Sequence, residues 1–124
     1  MEKLSLVVAG TRTFNNYELL KRKITEIFLN KYTAEGKTLE IVSGGARGAD
    51  NLGEQFAHEH KLPLRIFPAD WNKYGKSAGM LRNQQMADYA AAAIVFWDGK
   101  SRGSRNMILE MKKRSKPVKV VIYE

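Results

Sequence analysis

The sequence predicts an α/β fold. We expect one three-layer domain over residues 1–124, with a five-stranded parallel sheet in the order 3-2-1-4-5 and helices on both faces. Three observations predict it. Five short apolar runs alternate with longer segments of helical periodicity, the pattern of repeated strand–helix–strand units. Two runs, "LSLVVA" (4–9) and "AAIVFW" (92–97), are apolar almost throughout, as strands buried on both faces are. A length of 124 residues with 44% hydrophobic content suits a single domain with a real core. Right-handed crossovers leave few orders for such strands, and the Rossmann-like one is expected.

The remaining strands are "LEIVS" (39–43), "PLRIF" (63–67) and "VKVVIY" (118–123). The last alternates more, with Lys119 outward, and belongs at a sheet edge. Between the first two strands, Tyr17, Leu20, Ile24, Ile27 and Phe28 recur at steps of three and four. They form one apolar stripe behind an N-cap at Asn15 or Asn16. Leu52, Phe56 and His60 mark the second helix, Ala78, Leu81, Gln85 and Tyr89 a weaker third, and Ser104, Met107, Ile108 and Met111 a fourth. Pro117 ends the fourth before the last strand. No internal repeat, linker or low-complexity stretch interrupts the series.

In an open α/β sheet, ligands bind outside the carboxyl ends of the strands, near the point where the strand order reverses. Four loops share that edge here: "GTRTFNN" (10–16), "GGARGAD" (44–50), "PADWNKYGKSAG" (68–79) and "DGKSRGS" (98–104). All contain glycine and three carry arginine, whereas the loops on the opposite edge are bland.

The second loop is the most unusual. Gly44, Gly45 and Gly48 let the backbone turn sharply and begin a helix with bare amides. Such amides form an anion site, and Arg47 adds a bidentate phosphate contact. Relief of strain in a tight turn is the alternative role of the glycines. In the first loop Gly10 permits close approach, Thr11 offers a hydroxyl and Arg12 a cation; a plain turn is the alternative. In the fourth, Gly103 and Ser104 open a helix beside Arg102, with Ser104 as either an N-cap or a phosphate ligand.

Asp50, Asp70 and Asp98 fall on the same edge. A carboxylate is repelled by a phosphate, so these suit ribose hydroxyls, a base or a backbone N–H; for Asp50 an ordinary helix-dipole role competes. Trp71 beside Asp70 suits a nucleobase pocket, while Trp97 beside Asp98 suits the core. Gly79, Arg82, Asn83 and Met86 share one helical face, assigned to the cleft by the Gly79 notch.

Composition excludes several classes. With no cysteine, disulfides and thiolate metal sites are out, and a reducing cytoplasm is the expected location. No secretory leader pattern and no run near the ~20 apolar residues of a membrane span is present. His58 and His60 point to opposite sides of a helix and cannot share a metal. No metal, cofactor, G-x-G-x-x-G fingerprint or P-loop is indicated. Net charge is +8, and residues 100–124 hold eight basic and two acidic residues. The segment 100–119 is therefore either a phosphate- or nucleic-acid-attracting surface or a solvated helix face.

"VAGTRTF", "IVSGGARGAD", "FPADWNKYGKSAGMLRNQQM" and "VFWDGKSRGS" together resemble the SLOG superfamily, in its YspA-like, YpsA-related branch. The resemblance spans nearly the whole chain. It implies a Rossmann-like domain that binds a nucleotide or nucleotide-derived ligand, of ADP-ribose or nucleoside monophosphate type, as a sensor, carrier or sequestering module. The ligand positions it implies are Gly10, Thr11 and Arg12, then Gly44, Gly45, Arg47, Gly48 and Asp50. Asp70, Trp71, Gly79, Arg82 and Asn83 follow, and Asp98, Gly103 and Ser104 complete them.

Two related groups imply alternatives. Lonely Guy phosphoribohydrolases cleave the base from a nucleoside monophosphate. By that likeness Arg82, Asp98 and Glu110 are catalytic candidates, but Met107 stands where the glutamate is expected. DNA-processing protein A binds single-stranded DNA, and the basic 100–119 segment suits that partner, although no aromatic residues interleave its cations. Relatives often form oligomers, and "MILEM" (107–111) suits either a homo-oligomer interface or the core.

Overall fold

The computed structural model describes residues 2–123. Strands β1 (Lys3–Gly10), β2 (Thr38–Ser43), β3 (Leu64–Ile66), β4 (Ala92–Trp97) and β5 (Val118–Ile122) form one all-parallel sheet. Its order is β3-β2-β1-β4-β5, as the alternating pattern predicts. In register, Leu6 lies opposite Ile41 on one side and Ala92 on the other. The central strand is thus flanked by a strand on each side, and Leu6, Val7 and Val8 are fully buried.

The period-two alternation of the strands divides the core into two layers. Leu6, Val8, Ile41 and Ile94 face one side, where α1 (Tyr17–Ile24) and α3 (Ala49–Glu59) supply Leu20, Ile24 and Phe56. Val7, Val42, Ala93 and Val95 face the other, where α5 (Ala78–Tyr89) and α6 (Arg102–Lys113) supply Met86, Ala87, Met107 and Met111. Three of the four residues of the "MILEM" apolar set, Met107, Ile108 and Met111, lie in this layer, while Leu109 is exposed. Asn16 is the N-cap of α1, its Oδ1 accepting the Leu19 N–H at 3.0 Å.

Several elements differ from expectation. The first helix is not uniform: a π turn, Thr25–Leu29, separates α1 from α2 (Asn30–Ala34). The segment 68–79 is not all loop, because Asp70 accepts the Lys73 N–H at 3.0 Å and starts the one-turn helix α4 (Trp71–Tyr74), continued by a 3-10 turn. On α5 the buried face is Ala78, Asn83, Met86 and Ala87, whereas Gln85 and Tyr89 are exposed. Tyr89 stays at the surface because its hydroxyl donates to buried Glu40 at 2.7 Å. Asn83 goes inward because its amide is bonded on every side, as described below.

The basic C-terminal segment is partly structural. Arg114 pairs with Asp88 and Glu110, each at 2.7 Å. Lys116 Nζ donates to the Ala87 and Asp88 carbonyls, satisfying the C-terminus of α5. Lys100, Arg102, Arg105, Lys112 and Lys119 have no such partner among the described residues. No helix among those residues is long and apolar enough to cross a membrane.

Phe56 joins α3 to the sheet, fully buried and stacked on His60 at 4.0 Å between ring centroids. Phe56→Ala should cost about 3–5 kcal/mol, from lost transfer energy and the cavity left behind. Urea denaturation should show it as a lower midpoint.

Candidate functional site

Parallel strands bring the four glycine-bearing loops to one edge, where two hollows open. A deeper one of about 340 Å³ lies at the strand-order reversal between β1 and β4, and includes Thr11, Asp50, Asn83, Ser104 and Met107 in its wall. A wider one of about 560 Å³ lies over β2 and β3, and includes Gly44, Arg47, Glu54, Ile66 and Trp71. Both lie in the size range of small-molecule sites. They meet at Arg12, Ala46 and Arg82, which line both.

The glycine loop is not the bare cradle that the sequence led us to expect. Ser43 Oγ accepts the Gly45 N–H at 3.0 Å, and the Asp50 carboxylate accepts the Ala46 N–H at 3.3 Å and that of Gly44. Three amides of the turn are therefore satisfied by the protein's own oxygens. The glycines have another purpose. A Cβ at Gly44 would overlap the Arg82 guanidinium, whose Nη1 donates to the Gly44 carbonyl at 2.6 Å. A Cβ at Gly48, where φ is +78°, would overlap the Thr11 and Arg12 carbonyls. Glycine here admits other parts of the chain: an arginine at Gly44 and the first loop at Gly48.

A free helix N-terminus exists instead at α6. Its N-cap Ser101 makes no side-chain cap bond, and Ser101, Gly103 and Ser104 line the deeper hollow. Ser104 is thus not the N-cap but lies within the first turn, its Oγ bonded to Ser101 Oγ at 3.3 Å. The amides of that turn and the helix dipole favour an anion there.

Arg82 is held from both ends. Its Nε donates to Asn83 Oδ1 at 3.0 Å, while Asn83 Nδ2 donates to the Gly103 carbonyl and to Asn106 Oδ1. Burial lowers the pKa of Arg82, Asp50 opposes the shift, and Arg12 adds to it as a neighbouring like charge. Asp50, only 4% exposed, is pushed up to about 6 by burial, against the Ala46 N–H, the Arg82 charge and the Gly44 N–H, with Glu54 adding to the rise. Arg12, Arg47 and Arg82 form no salt bridge among the described residues, so cationic charge at the junction stands in excess.

Gly10, Thr11, Arg12, Gly44, Gly45, Arg47, Asp50, Trp71, Arg82, Asn83, Gly103 and Ser104 line one hollow or both. Gly48 and Gly79 lie behind the walls; Gly79 sits beneath the Trp71 indole. Trp97 packs against the core layer of α5 and α6, its Nε1 bonded to the Ser101 carbonyl. Three carboxylates are not brought to the cleft. Asp70 caps α4. Asp98 accepts the Ser101 and Lys100 N–H groups, each at 2.8 Å, and these hold its pKa down. Glu110 is buried against Arg114 and Lys113, so its carboxylate faces away from both hollows. Sequence reasoning missed Glu54, which lines the wider hollow. Its spacing of four from Asp50 on a helix, which puts the two on one face, was the available signal.

Comparison with known proteins adds family and fold. The model of YAcAr, the YspA, cpYpsA-related SLOG family, matches residues 4–74, more than half the chain. The Gene 61 protein of Mycobacterium phage D29 is 36% identical over 86 residues, 64% of this chain and 69% of that protein. DNA processing protein A from Helicobacter pylori, a structure described for its single-stranded DNA binding mode, superposes with a TM-score of 0.68 at 20% identity, covering 98% of this chain. The Streptococcus pneumoniae protein gives 0.70 at 18% identity, covering 99%. This chain spans 66% and 51% of those two chains, and at such identities the likeness is one of fold.

Asp50 ionises around 3.8 ordinarily and near 6 in the fold, so its protonated form favours folding. That contribution is whole below pH 4 and is lost as the pH rises through 6. It amounts to at most about 3 kcal/mol, at about 1.4 kcal/mol per pKa unit. Asp50→Asn should flatten the dependence of Tm on pH between 4 and 7 and be at least as stable as wild type at pH 8, followed by circular dichroism melts.

Proposed function

The chain belongs to the YspA, cpYpsA-related SLOG family, and from that footing we propose that it binds a nucleotide or nucleotide-derived ligand at the carboxyl edge of its sheet, as a sensor, carrier or sequestering module. One observation carries this reading: Arg12 and Arg82, two like charges without a salt bridge, meet at the junction of two hollows. Like charges are held together in a folded protein at a cost, and a bound anion relieves it. A phosphate at the junction would take charge-assisted hydrogen bonds from Arg12 and Arg82. From there a ligand can extend either toward the free turn of α6 or toward Trp71. An ADP-ribose-type molecule would fill both directions, and a nucleoside monophosphate one.

Turnover has weaker support. Met107 lines the deeper hollow where glycosidic cleavage would want a carboxylate, and Glu110 is committed to Arg114. Single-stranded nucleic acid is a second reading, favoured by Lys100, Arg102 and Arg105, which carry no partner charge beside the deeper hollow. The likeness to DNA processing protein A fits it.

The test is a thermal-shift series with AMP, ADP-ribose, NAD and a short single-stranded DNA. A ligand at 100 times its Kd should add about 2.7 kcal/mol of stability. Arg12→Ala, at an exposed side chain with no internal partner, should weaken nucleotide binding about 10- to 100-fold while leaving Tm unchanged or slightly raised, because the like charge beside Arg82 is removed. Glu110→Gln should lower Tm and leave affinity within about 2-fold. Binding of the DNA alone, with a steep salt dependence, would reject the nucleotide reading in favour of the second. Release of free base from AMP by the wild-type protein would make it an enzyme.

A further inference from the structure

Glu54 is an unexpected residue in a phosphate-binding cleft. It stands one helical turn after Asp50 on α3 and lines the wider hollow together with Arg47 and Trp71. Its carboxylate is oriented from behind: Oε2 accepts the Ser43 hydroxyl at 2.7 Å, and Ser43 Oγ in turn accepts the Gly45 N–H. Its other oxygen, Oε1, makes no hydrogen bond among the described residues. An ionised carboxylate only accepts hydrogen bonds, and it repels a phosphate. The ligand groups that suit Oε1 are therefore donors, either hydroxyls or the N–H groups of a base.

The hollow's other walls narrow the choice. The Trp71 indole is 52% exposed and, with Ile66 and Pro68 beside it, offers a stacking surface for a base. Arg47 and the junction arginines offer charge to a phosphate. The part of a nucleotide that lies between base and phosphate is the sugar. We propose that Glu54 accepts a hydrogen bond from the ribose 2′-hydroxyl and makes this site select ribonucleotides over 2′-deoxyribonucleotides. The inference rests on the nucleotide-binding reading and deepens it by naming the ligand class. A site built to bond a hydroxyl rejects the analogue that lacks it, and one charge-assisted bond at a half-open site corresponds to about a 10-fold preference or more.

The experiment is isothermal titration of the full chain with AMP, GMP, CMP and UMP, each paired with its 2′-deoxy counterpart. The wild-type protein should bind the preferred ribonucleotide at least ~10-fold more tightly than its deoxy form. In Glu54→Ala no side-chain group is left to bond the 2′-hydroxyl, and the Ser43 hydroxyl keeps the Asp50 carbonyl, 3.4 Å away, as its acceptor. The ribose preference should then fall to about 2-fold or less, while affinity for the deoxy form holds or improves as a negative charge is removed. A purely structural Glu54 would lower both affinities together and leave the ratio unchanged. Equal binding of ribo and deoxy forms by wild type, or a preference that survives Glu54→Ala, overturns the inference and leaves nucleotide binding standing. Binding of neither form by wild type rejects both.

Discussion

Arg82 must lie across the glycine loop, and much of the cleft is arranged so that it can. Its guanidinium reaches from α5 to the Gly44 carbonyl at 2.6 Å, through space that any Cβ at Gly44 would fill. The arginine is steered by Asn83, and Asn83 is steered by Gly103 and Asn106 of α6. One hydrogen-bonded chain therefore links the second loop, α5 and the start of α6. The second loop and α5 supply Ala46 and Arg82, two of the three residues that line both hollows.

The electrostatics follow from this placement. Burial acts on both partners at the junction, raising the pKa of Asp50 and lowering that of Arg82. Each charge helps the other, yet for each the cost of leaving water dominates. The Asp50 carboxylate is occupied by the turn amides, and Arg82 is occupied by a carbonyl, so neither fully neutralises the other. With Arg12 close by, the junction keeps unbalanced positive charge in a partly dry place, where an anion interacts far more strongly than it would in open water. Glu54 and Trp71 line the wider hollow beyond that junction.

The architecture was largely legible because it depends on periodicity. Continuous apolar runs marked β1 and β4, Lys119 marked an edge strand, and Met107, Ile108 and Met111 marked the buried face of α6. Periodicity failed on α5, where an amide is buried and a tyrosine is not. Asn83 is inside because its bonds are satisfied by residues some 20 positions away, and Tyr89 is outside because its hydroxyl serves Glu40. Neither partner is local, so no window of sequence could reveal them. Asp70 and Asp98 misled for the opposite reason, because their partners are local. Their position in the loops suggested ligand contacts, but short turns offered their carboxylates backbone N–H groups first.

By itself the sequence determined the parallel sheet, its order, and the edge at which glycine and arginine collect, because alternation of strand and helix leaves all such loops on one side. The tertiary structure decided what those loops do. It filled the turn amides after β2 with Ser43 and Asp50, left the start of α6 open, sent Glu110 to Arg114, and brought Glu54 into the wider hollow. The reason is physical: composition says which groups seek partners, and only distance says which partners they find.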